Sequence, residues 1–404
     1  MNTIIPHALR NAVAAVVYVS EGSNEKILTP LKTLVKEAAT IASVESCSTS
    51  SLLGASLLHV FSDPHYNRSS FVIAGSVPDA VVQTAFALTK AALKAIPDLR
   101  EHDATHPRIG IVDHISFAPL CPDEMDSVST TIVPTNAEEA TTTCTVYSQH
   151  DNIGVNMEDA AIAAARLSES LARDLQLPVM VYGAARAKLT PALPPRTLAE
   201  TRRQTPYFRK QAKNSGLAGS SEGEFLKEGQ DSDNADIWAE VVPDLGGLVV
   251  DPRVGLCCCG AVPLVLNYNV RLATTDRKVA AACVAAVRTR KARVANKLGV
   301  AGEHGGSGTN GLYTPVEAVD SEYTGLPHVE ALPLKHENGN FEVACNLLDP
   351  SVTPPSLVLD RVAEVAKKRF GVEVDDAYTI GMTVGQIRSR LLLLTSELEP
   401  RAVK

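Results

Sequence analysis

Aromatic side chains are scarce: Phe, Trp and Tyr make up 4% of 404 residues, with a single Trp. A stacking platform of the kind that holds single-stranded nucleic acid needs more. Basic residues are outnumbered, 38 Lys and Arg against 46 Asp and Glu, for a formal charge of −8. A general nucleic-acid binder is thereby excluded, because neutralising phosphates requires a basic surface. An anionic ligand must instead meet a local cluster of cations. Cysteine is also sparse, eight in the chain, with no CxxC pair. That excludes a disulfide framework. Cys257, Cys258 and Cys259 are consecutive, and neighbours on a strand point to opposite faces, so they read as small buried apolar residues and no metal site is expected. No apolar run approaches the roughly 18 residues of a membrane span. The first 19 residues hold one Arg and no acid. They permit a weak organelle address, but a first strand at Val13–Val19 and a cytoplasmic protein are the reading adopted.

The chain is 45% hydrophobic and 21% charged, which suits a globular protein of two or three domains built of helices on sheets. Periodicity predicts a helix over Glu25–Ile41, an apolar stretch at Ser51–Phe61, a strand at Ser69–Ala74 and a helix opened by Ser76-Val77-Pro78-Asp79, with Ser76 as a hydroxyl cap. A short strand is expected at Ile109–Val112, a Thr-rich surface insertion over 118–149, a helix at Glu158–Leu175 and a strand at Pro178–Tyr182. Residues 214–236, rich in Gly, Ser and acids, read as a linker. Then come a strand at Ala261–Asn269, a helix at Asp276–Arg290, a Gly-rich loop over 304–310, a strand at Phe341–Leu348, a helix at Pro354–Arg369 and a last helix near Val384. The grammar is α/β (α+β), in two halves of similar order. Boundaries fall at 1–200, a 201–240 linker, and 241–404. No Walker loop or HExxH helix occurs, and the one GxGxxG spelling, Gly306–Gly311, follows no strand, so nucleotide and zinc-hydrolase chemistry are unsupported.

Three of the ten histidines fall in one stretch, Glu101–Leu120. Imidazole titrates near neutrality and is the usual carrier of a proton between nitrogens. By spacing alone, a histidine before a proline is a loop residue. Arg68 and Arg108 are candidates for substrate carboxylates, which a guanidinium grips in bidentate fashion. Asp113 is a candidate for orienting a histidine or arginine. Gly246, Gly247 and Gly255 would let backbone approach a flat ring. His102 and His114 are assigned surface or packing roles.

Several pieces, in order, resemble the formiminotransferase (glutamate formimidoyltransferase) family: Ser20-Glu21-Gly22; Asn67-Arg68; His106-Pro107-Arg108-Ile109-Gly110 with Asp113 and Phe117; Pro178–Gly183; Pro243-Asp244-Leu245-Gly246; Asn267–Leu272; and Asn346-Leu347-Leu348-Asp349. The resemblance covers roughly residues 13–395. It implies two ferredoxin-like subdomains, each a mixed or antiparallel sheet carrying helices, with a folate groove between them, in a homodimer. It implies one-carbon metabolism within histidine degradation: transfer of a formimino (or formyl) group from N-formiminoglutamate to N5 of tetrahydrofolate, with no membrane and no nucleic acid. The catalytic histidine falls on His106, with Asp113 and Asp63 in support. Arg68, Arg108 and Asn67 fall at the substrate, and Gly246, Gly247 and Gly255 at the folate. It also implies a divergent member without the cyclodeaminase domain of the vertebrate enzymes. Two positions depart from the pattern. Phe61 stands where the family has a carboxylate, with Asp63 two positions on, and Val262 stands where it has an arginine. Alternatives to an enzyme are a noncatalytic folate-binding homologue and an assembly subunit that keeps only the scaffold.

Overall fold

The computed structural model describes residues 9, 11–46, 53–101, 108–120, 157–193, 196–205, 238, 241–247, 249–289 and 323–398. His102, His106 and the segments 121–149, 214–236 and 304–310 lie outside the described residues. The chain forms two units, the first from 1–206, 231–264 and 381–404, the second from 207–230 and 265–380.

In the first unit, strands β1 (Val13–Val19), β2 (Ser56–Asp63), β3 (Arg68–Gly75) and β4 (Val112–Pro119) join helices α1 (Glu25–Ser46) and α2 (Pro78–Ala95) in the order β1-α1-β2-β3-α2-β4. They pair antiparallel in the spatial order β2-β3-β1-β4, the ferredoxin-like arrangement. After helix α3 (Met157–Asp174), β5 (Val179–Tyr182), and helices α4 (Gly183–Leu189) and α5 (Leu198–Arg202), strand β6 (Cys257–Ala261) inserts between β4 and β5, parallel to both. The sheet is therefore six-stranded and mixed. Strand β1 is buried along nearly its whole length, as its unbroken apolar run requires. Its Val13, Ala15, Val17 and Val19 pack with residues of α1, α2 and α3, while Ala14 and Val16 face the opposite side.

In the second unit, β7 (Leu266–Leu272), α6 (Arg277–Val287), β8 (Val329–Lys335), β9 (Phe341–Leu347), α7 (Pro355–Phe370) and β10 (Val374–Ile380) repeat the same grammar. The sheet order β10-β7-β9-β8 is again ferredoxin-like and wholly antiparallel. Its core joins Leu266, Tyr268, Val270 and Leu272 to Val279, Cys283, Val358, Val362 and Val365 of the helices. Asp276 caps α6 through the Lys278 amide. Gly371, at φ 66°, ends α7 in the left-handed region that glycine fills without strain.

The last helix, α8 (Val384–Leu398), belongs to the first unit. Its Ile387 and Leu391 are buried with Ala14, Val16, Val72 and Ala74, on the sheet face away from α1–α3. Strand β6 and α8 thus lie with the first unit although both fall in the 241–404 segment that the sequence sets apart. Other differences have local causes. The expected strand Ala261–Asn269 is two strands, since Pro263 has no N–H for a ladder and the chain changes unit after Leu264. Helix α2 starts at an N-cap of Val77 with no side-chain bond, Pro78 supplying the first-turn geometry in place of a Ser76 cap. The strand expected at Ile109–Val112 begins only at Val112, because Ser20 holds the carbonyls just before it: its Oγ donates to Gly110 O at 2.7 Å and its N–H to Ile111 O at 2.8 Å. The three consecutive cysteines are buried, and burial pushes the Cys258 and Cys259 thiols up to about 12, so they pack as inert apolar groups.

Leu391→Ala is expected to destabilise the first unit by about 3 kcal/mol, the range for a buried leucine truncation. Chemical denaturation measures it. An unchanged midpoint would mean that α8 does not share this core.

Candidate functional site

Resemblance-bearing residues that are far apart in sequence meet where β1, β3 and β4 adjoin. The register places Tyr18 opposite His114 but Val19 opposite Val112, so Asp113 is an extra residue in β4. Such a bulge re-aims a side chain. Residues 113 and 114 would otherwise point to opposite faces, yet both reach the same guanidinium.

The Asp113 carboxylate is buried, with 2% of its side chain exposed. It accepts from Arg68 Nη2 at 2.6 Å and from Arg202 Nη2. The Ile109 amide donates to its other oxygen at 3.2 Å. Burial pushes this carboxyl up, but Arg202, Arg68 and His114 outweigh it and hold it well below the usual carboxylate range.

His114 is 8% exposed and stacks on Tyr18, ring centroids 4.1 Å apart at 16°. The Arg68 guanidinium lies 4.6 Å from the Tyr18 ring centre, a cation–π contact. Arg68 Nη2 and Arg202 Nη2 lie 3.1 and 2.9 Å from His114 Nδ1. Nδ1 also lies 3.2 Å from Asp113 Oδ2, so the ring tautomer decides whether it accepts from the guanidiniums or donates to the carboxylate. Burial first, then the two guanidiniums, lower the imidazole to about 3 against the raising effect of Asp113. It is neutral at physiological pH.

The other expected residues shape the frame around this cluster. Asn67 takes φ 45°, and its Oδ1 accepts from the Gly22 amide at 2.8 Å. Arg108 Nη2 donates to the carbonyls of Tyr66 and Asn67, at 2.8 and 2.6 Å, so it binds the β2–β3 turn. Asp63 accepts from the Tyr66 amide at 2.8 Å in the same turn. Glu21 accepts from the Ser23 and Asn24 amides, each at 2.9 Å, and Ser69 Oγ donates to Glu21 O at 2.6 Å. A Cβ on Gly22 would lie 2.2 Å from Asp63 O and 2.3 Å from Arg68 N, so no larger residue fits.

The glycines expected at a flat ring divide. Gly255, at φ 73°, lies where a Cβ would meet Ile109 O at 2.2 Å. Gly246, at φ 92°, lies against Leu177 O, 2.7 Å from where a Cβ would be. Backbone packing accounts for both. Around Gly247 a Cβ would meet nothing closer than 3.8 Å. Asp244 in the same segment accepts from Arg186 Nη1 and the Val181 amide, both at 2.7 Å, and from Arg196. These bonds tie the segment to the edge strand β5.

Arg202, Tyr18 and His114 were not anticipated at the site. The signal for Arg202 was the Thr197-x-x-Glu200 capping box, which fixes the short helix α5 that ends on it. In the second unit, the Asn267–Leu272 and Asn346–Asp349 pieces are cross-strand neighbours. Asn267 Nδ2 donates to Asn346 Oδ1 at 2.6 Å, and Asn269 Nδ2 to the buried Glu342 at 2.6 Å. Among the described residues, no three His, Cys, Asp or Glu side chains group as metal ligands, and no helix is long and apolar enough to cross a membrane.

The sequence model of the formiminotransferase domain, N-terminal subdomain, matches residues 12–150, which include every residue of the cluster except Arg202. Over these residues the chain resembles formiminotransferases. It is 26% identical over 380 residues to a formiminotransferase cyclodeaminase-like protein of Arabidopsis thaliana, covering 93% of this chain and 95% of that one. It is 25% identical over 261 residues to the formimidoyltransferase-cyclodeaminase of Rattus norvegicus, 64% of this chain and 34% of that one. A glutamate formimidoyltransferase of Streptococcus pyogenes serotype M1 is 32% identical over 101 residues, 25% of this chain and 28% of that one. The chain thus matches about a third of the length of the rat and streptococcal relatives.

The charge state of the cluster makes stability depend on pH. An unfolded histidine titrates near ~6.5, and His114 is depressed when folded, so the unfolded chain binds more protons between the two values. The stabilisation is complete above the unfolded value and is lost as pH falls through that window. From pH 7 to pH 5 the expected loss is about 2 kcal/mol. Denaturation midpoints at the two pH values, for the wild type and His114→Gln, measure it, and the variant's curve is expected to be flatter. Asp113→Asn, which leaves two buried guanidiniums without their carboxylate, is expected to lower stability by about 3–5 kcal/mol at pH 7.

Proposed function

We propose that this protein is a folate-dependent one-carbon transferase that moves a formimino (or formyl) group from N-formiminoglutamate to N5 of tetrahydrofolate. The observation that carries the reading is the convergence of the Arg68 guanidinium and the Ile109 amide on the buried Asp113 carboxylate within the segment that matches the family model. Two resemblance-bearing pieces of sequence share this one centre.

The reaction joins N5 of tetrahydrofolate to the amidine carbon of the donor. The attacking nitrogen becomes cationic and gives up a proton, and the departing glutamate nitrogen takes one as its bond to carbon breaks. A histidine with a pKa near neutrality serves both transfers. His106 is assigned that role by the family motif. His114 is unsuited to it, since a ring lowered to about 3 is a poor base at pH 7. Asp113 is assigned to positioning, since it holds Arg68 and Arg202. Arg68 is assigned to a substrate carboxylate, and Asn67 and Arg108 to the turn that presents it. Asp63 holds the same turn, and the Gly246–Gly255 segment is assigned to the folate, with Gly247 as its open position. The two units correspond in this reading to the two formiminotransferase subdomains, and the protein is a homodimer in the cytoplasm.

Calorimetry with tetrahydrofolate, then turnover with N-formiminoglutamate, tests the assignment. The wild type is expected to bind and turn over. His106→Ala is expected to bind tetrahydrofolate with unchanged affinity and to lose 10²–10⁴-fold in kcat, the usual contribution of a general acid–base. Binding without turnover in the wild type would favour a noncatalytic folate-binding homologue. No binding would leave a scaffold role.

A further inference from the structure

Two largely buried aspartates in the first unit are each held by two arginines. Asp113 accepts from Arg68 and Arg202, and Asp244 accepts from Arg186 and Arg196. Arg202 and Arg196 come from the same short piece of chain. Arg196 stands just before Thr197, the N-cap of α5, and Arg202 is the last residue of that helix. One five-residue helix therefore has an arginine at each end, and each arginine is locked into a different ion cluster.

A helix of five residues does not form alone in water. Here Thr197 Oγ1 accepts from the Glu200 amide at 3.2 Å, and Glu200 Oε2 accepts from the Thr197 amide at 2.8 Å, the reciprocal capping box. Thr201 and Thr205 are buried, and Thr205 Oγ1 donates to the Arg202 carbonyl at 2.6 Å. Arg196 directs its remaining donors at the Val181 carbonyl, at 3.1 Å, and at Gln204 Oε1, at 3.0 Å. Gln204 lies past the far end of the helix, so this last bond spans α5 from end to end. The Arg196 carbonyl accepts from the Gly183 amide at 2.9 Å. Both guanidiniums also reach one strand: burial raises the Cys258 thiol on β6, and Arg202 and Arg196 each act against that rise.

We propose that Arg196 and Arg202 are positioning residues and that α5 is a strut of fixed length, which sets the Asp113 cluster against the Asp244–Gly247 segment. A rise of about 1.5 Å per residue gives roughly 7 Å of helix between the two arginines. The functional half of this proposal rests on the folate-transfer reading, in which Arg68 meets the donor's carboxylate and the segment around Gly247 meets the folate. The strut then fixes the separation of two reactants that must come within bonding distance, where a displacement of about 1 Å costs on the order of 10²-fold in rate. Neither Arg196 nor Arg202 has to touch a reactant for this. The mechanical half, that α5 couples the two clusters, stands without any ligand.

Two backbone amides report on the clusters separately. The Ile109 N–H donates to Asp113, and the Val181 N–H donates to Asp244. Hydrogen exchange at both is measured relative to the buried amides of the central strand β1, which open only with the unit as a whole. Arg196→Met and Arg202→Met each leave the aspartate one arginine, Arg186 or Arg68, and are expected to fold. Each is expected to speed relative exchange at least tenfold at its own reporter and at least threefold at the other. Thr197→Val keeps the side-chain shape but removes the capping oxygen, and is expected to speed both at least threefold. Thr197→Ser, which retains that oxygen, is expected to exchange like the wild type. In turnover, Thr197→Val is expected to lose at least fivefold in kcat, with KM for N-formiminoglutamate and affinity for tetrahydrofolate within twofold of wild type, and Thr197→Ser to keep the wild-type rate. Faster exchange confined to the mutated cluster, wild-type exchange in Thr197→Val, or an unchanged kcat while both reporters loosen would each overturn the proposal. A wild type that neither binds folate nor turns over would sink the folate-transfer reading alone, and the exchange results would then decide the coupling through α5 by themselves.

Discussion

A single buried carboxylate organises the first unit. Asp113 lies out of water, where an isolated charge would cost several kcal/mol, and it remains ionised because two guanidiniums and a backbone amide meet it. The dependence is mutual. Arg68 and Arg202 are themselves largely buried, at 14% and 19% side-chain exposure, and would repel each other without it. Arg68 comes from the start of β3, Arg202 from the end of α5 and Ile109 from the approach to β4, so the ion cluster joins three otherwise separate parts of the chain. A buried pair of this kind adds little net stability compared with apolar packing, but breaking it is severe. Its value lies in fixing where the guanidiniums stand.

The frame around the cluster shows how that position is enforced. Gly22 lets the β1–α1 loop come within a Cβ's reach of Asp63 O and Arg68 N, and Asn67 in the left-handed region closes the β2–β3 turn against the same loop. Arg108 then holds the turn's carbonyls from outside. The Asn67 and Arg108 side chains both bond to backbone groups. Ser20, Glu21 and Ser69 likewise bond to main-chain groups. Main-chain contacts place an element more rigidly than side-chain contacts do, because they involve no rotamer freedom of their own. The geometry at Asp113 is thus set by the loops, and the strand bulge only completes it.

The parts of this arrangement that were legible in the sequence had local signals. The alternation of strand and helix indicated two α/β halves, the resemblance implied that each is ferredoxin-like, and Asp276 and Pro78 marked helix starts. The residues Ser20-Glu21-Gly22, Asn67-Arg68 and Asp113 stood out through resemblance, yet nothing in their spacing showed that they meet. The bulge at Asp113 has no glycine or proline to announce it. It exists because Tyr18 must face His114 while Val19 pairs with Val112. The same blind spot hid β6, which joins the first sheet from more than fifty residues beyond β5, since a strand's order in a sheet is a long-range fact. Arg202 was missed for a simpler reason: its helix is five residues long, too short for periodicity, and only its capping box could have revealed it.

The protonation state of His114 follows from the same electrostatics. A ring beside two guanidiniums cannot hold a second proton, for it would add a third positive charge within hydrogen-bond distance. Moving the two arginines away would restore its basicity but would remove their hold on an anion. A cluster that holds a buried carboxylate through two arginines therefore keeps its own imidazole neutral at pH 7. The imidazole and the carboxylate are thus held in their charge states by the same two guanidiniums, so a change at either arginine would move both.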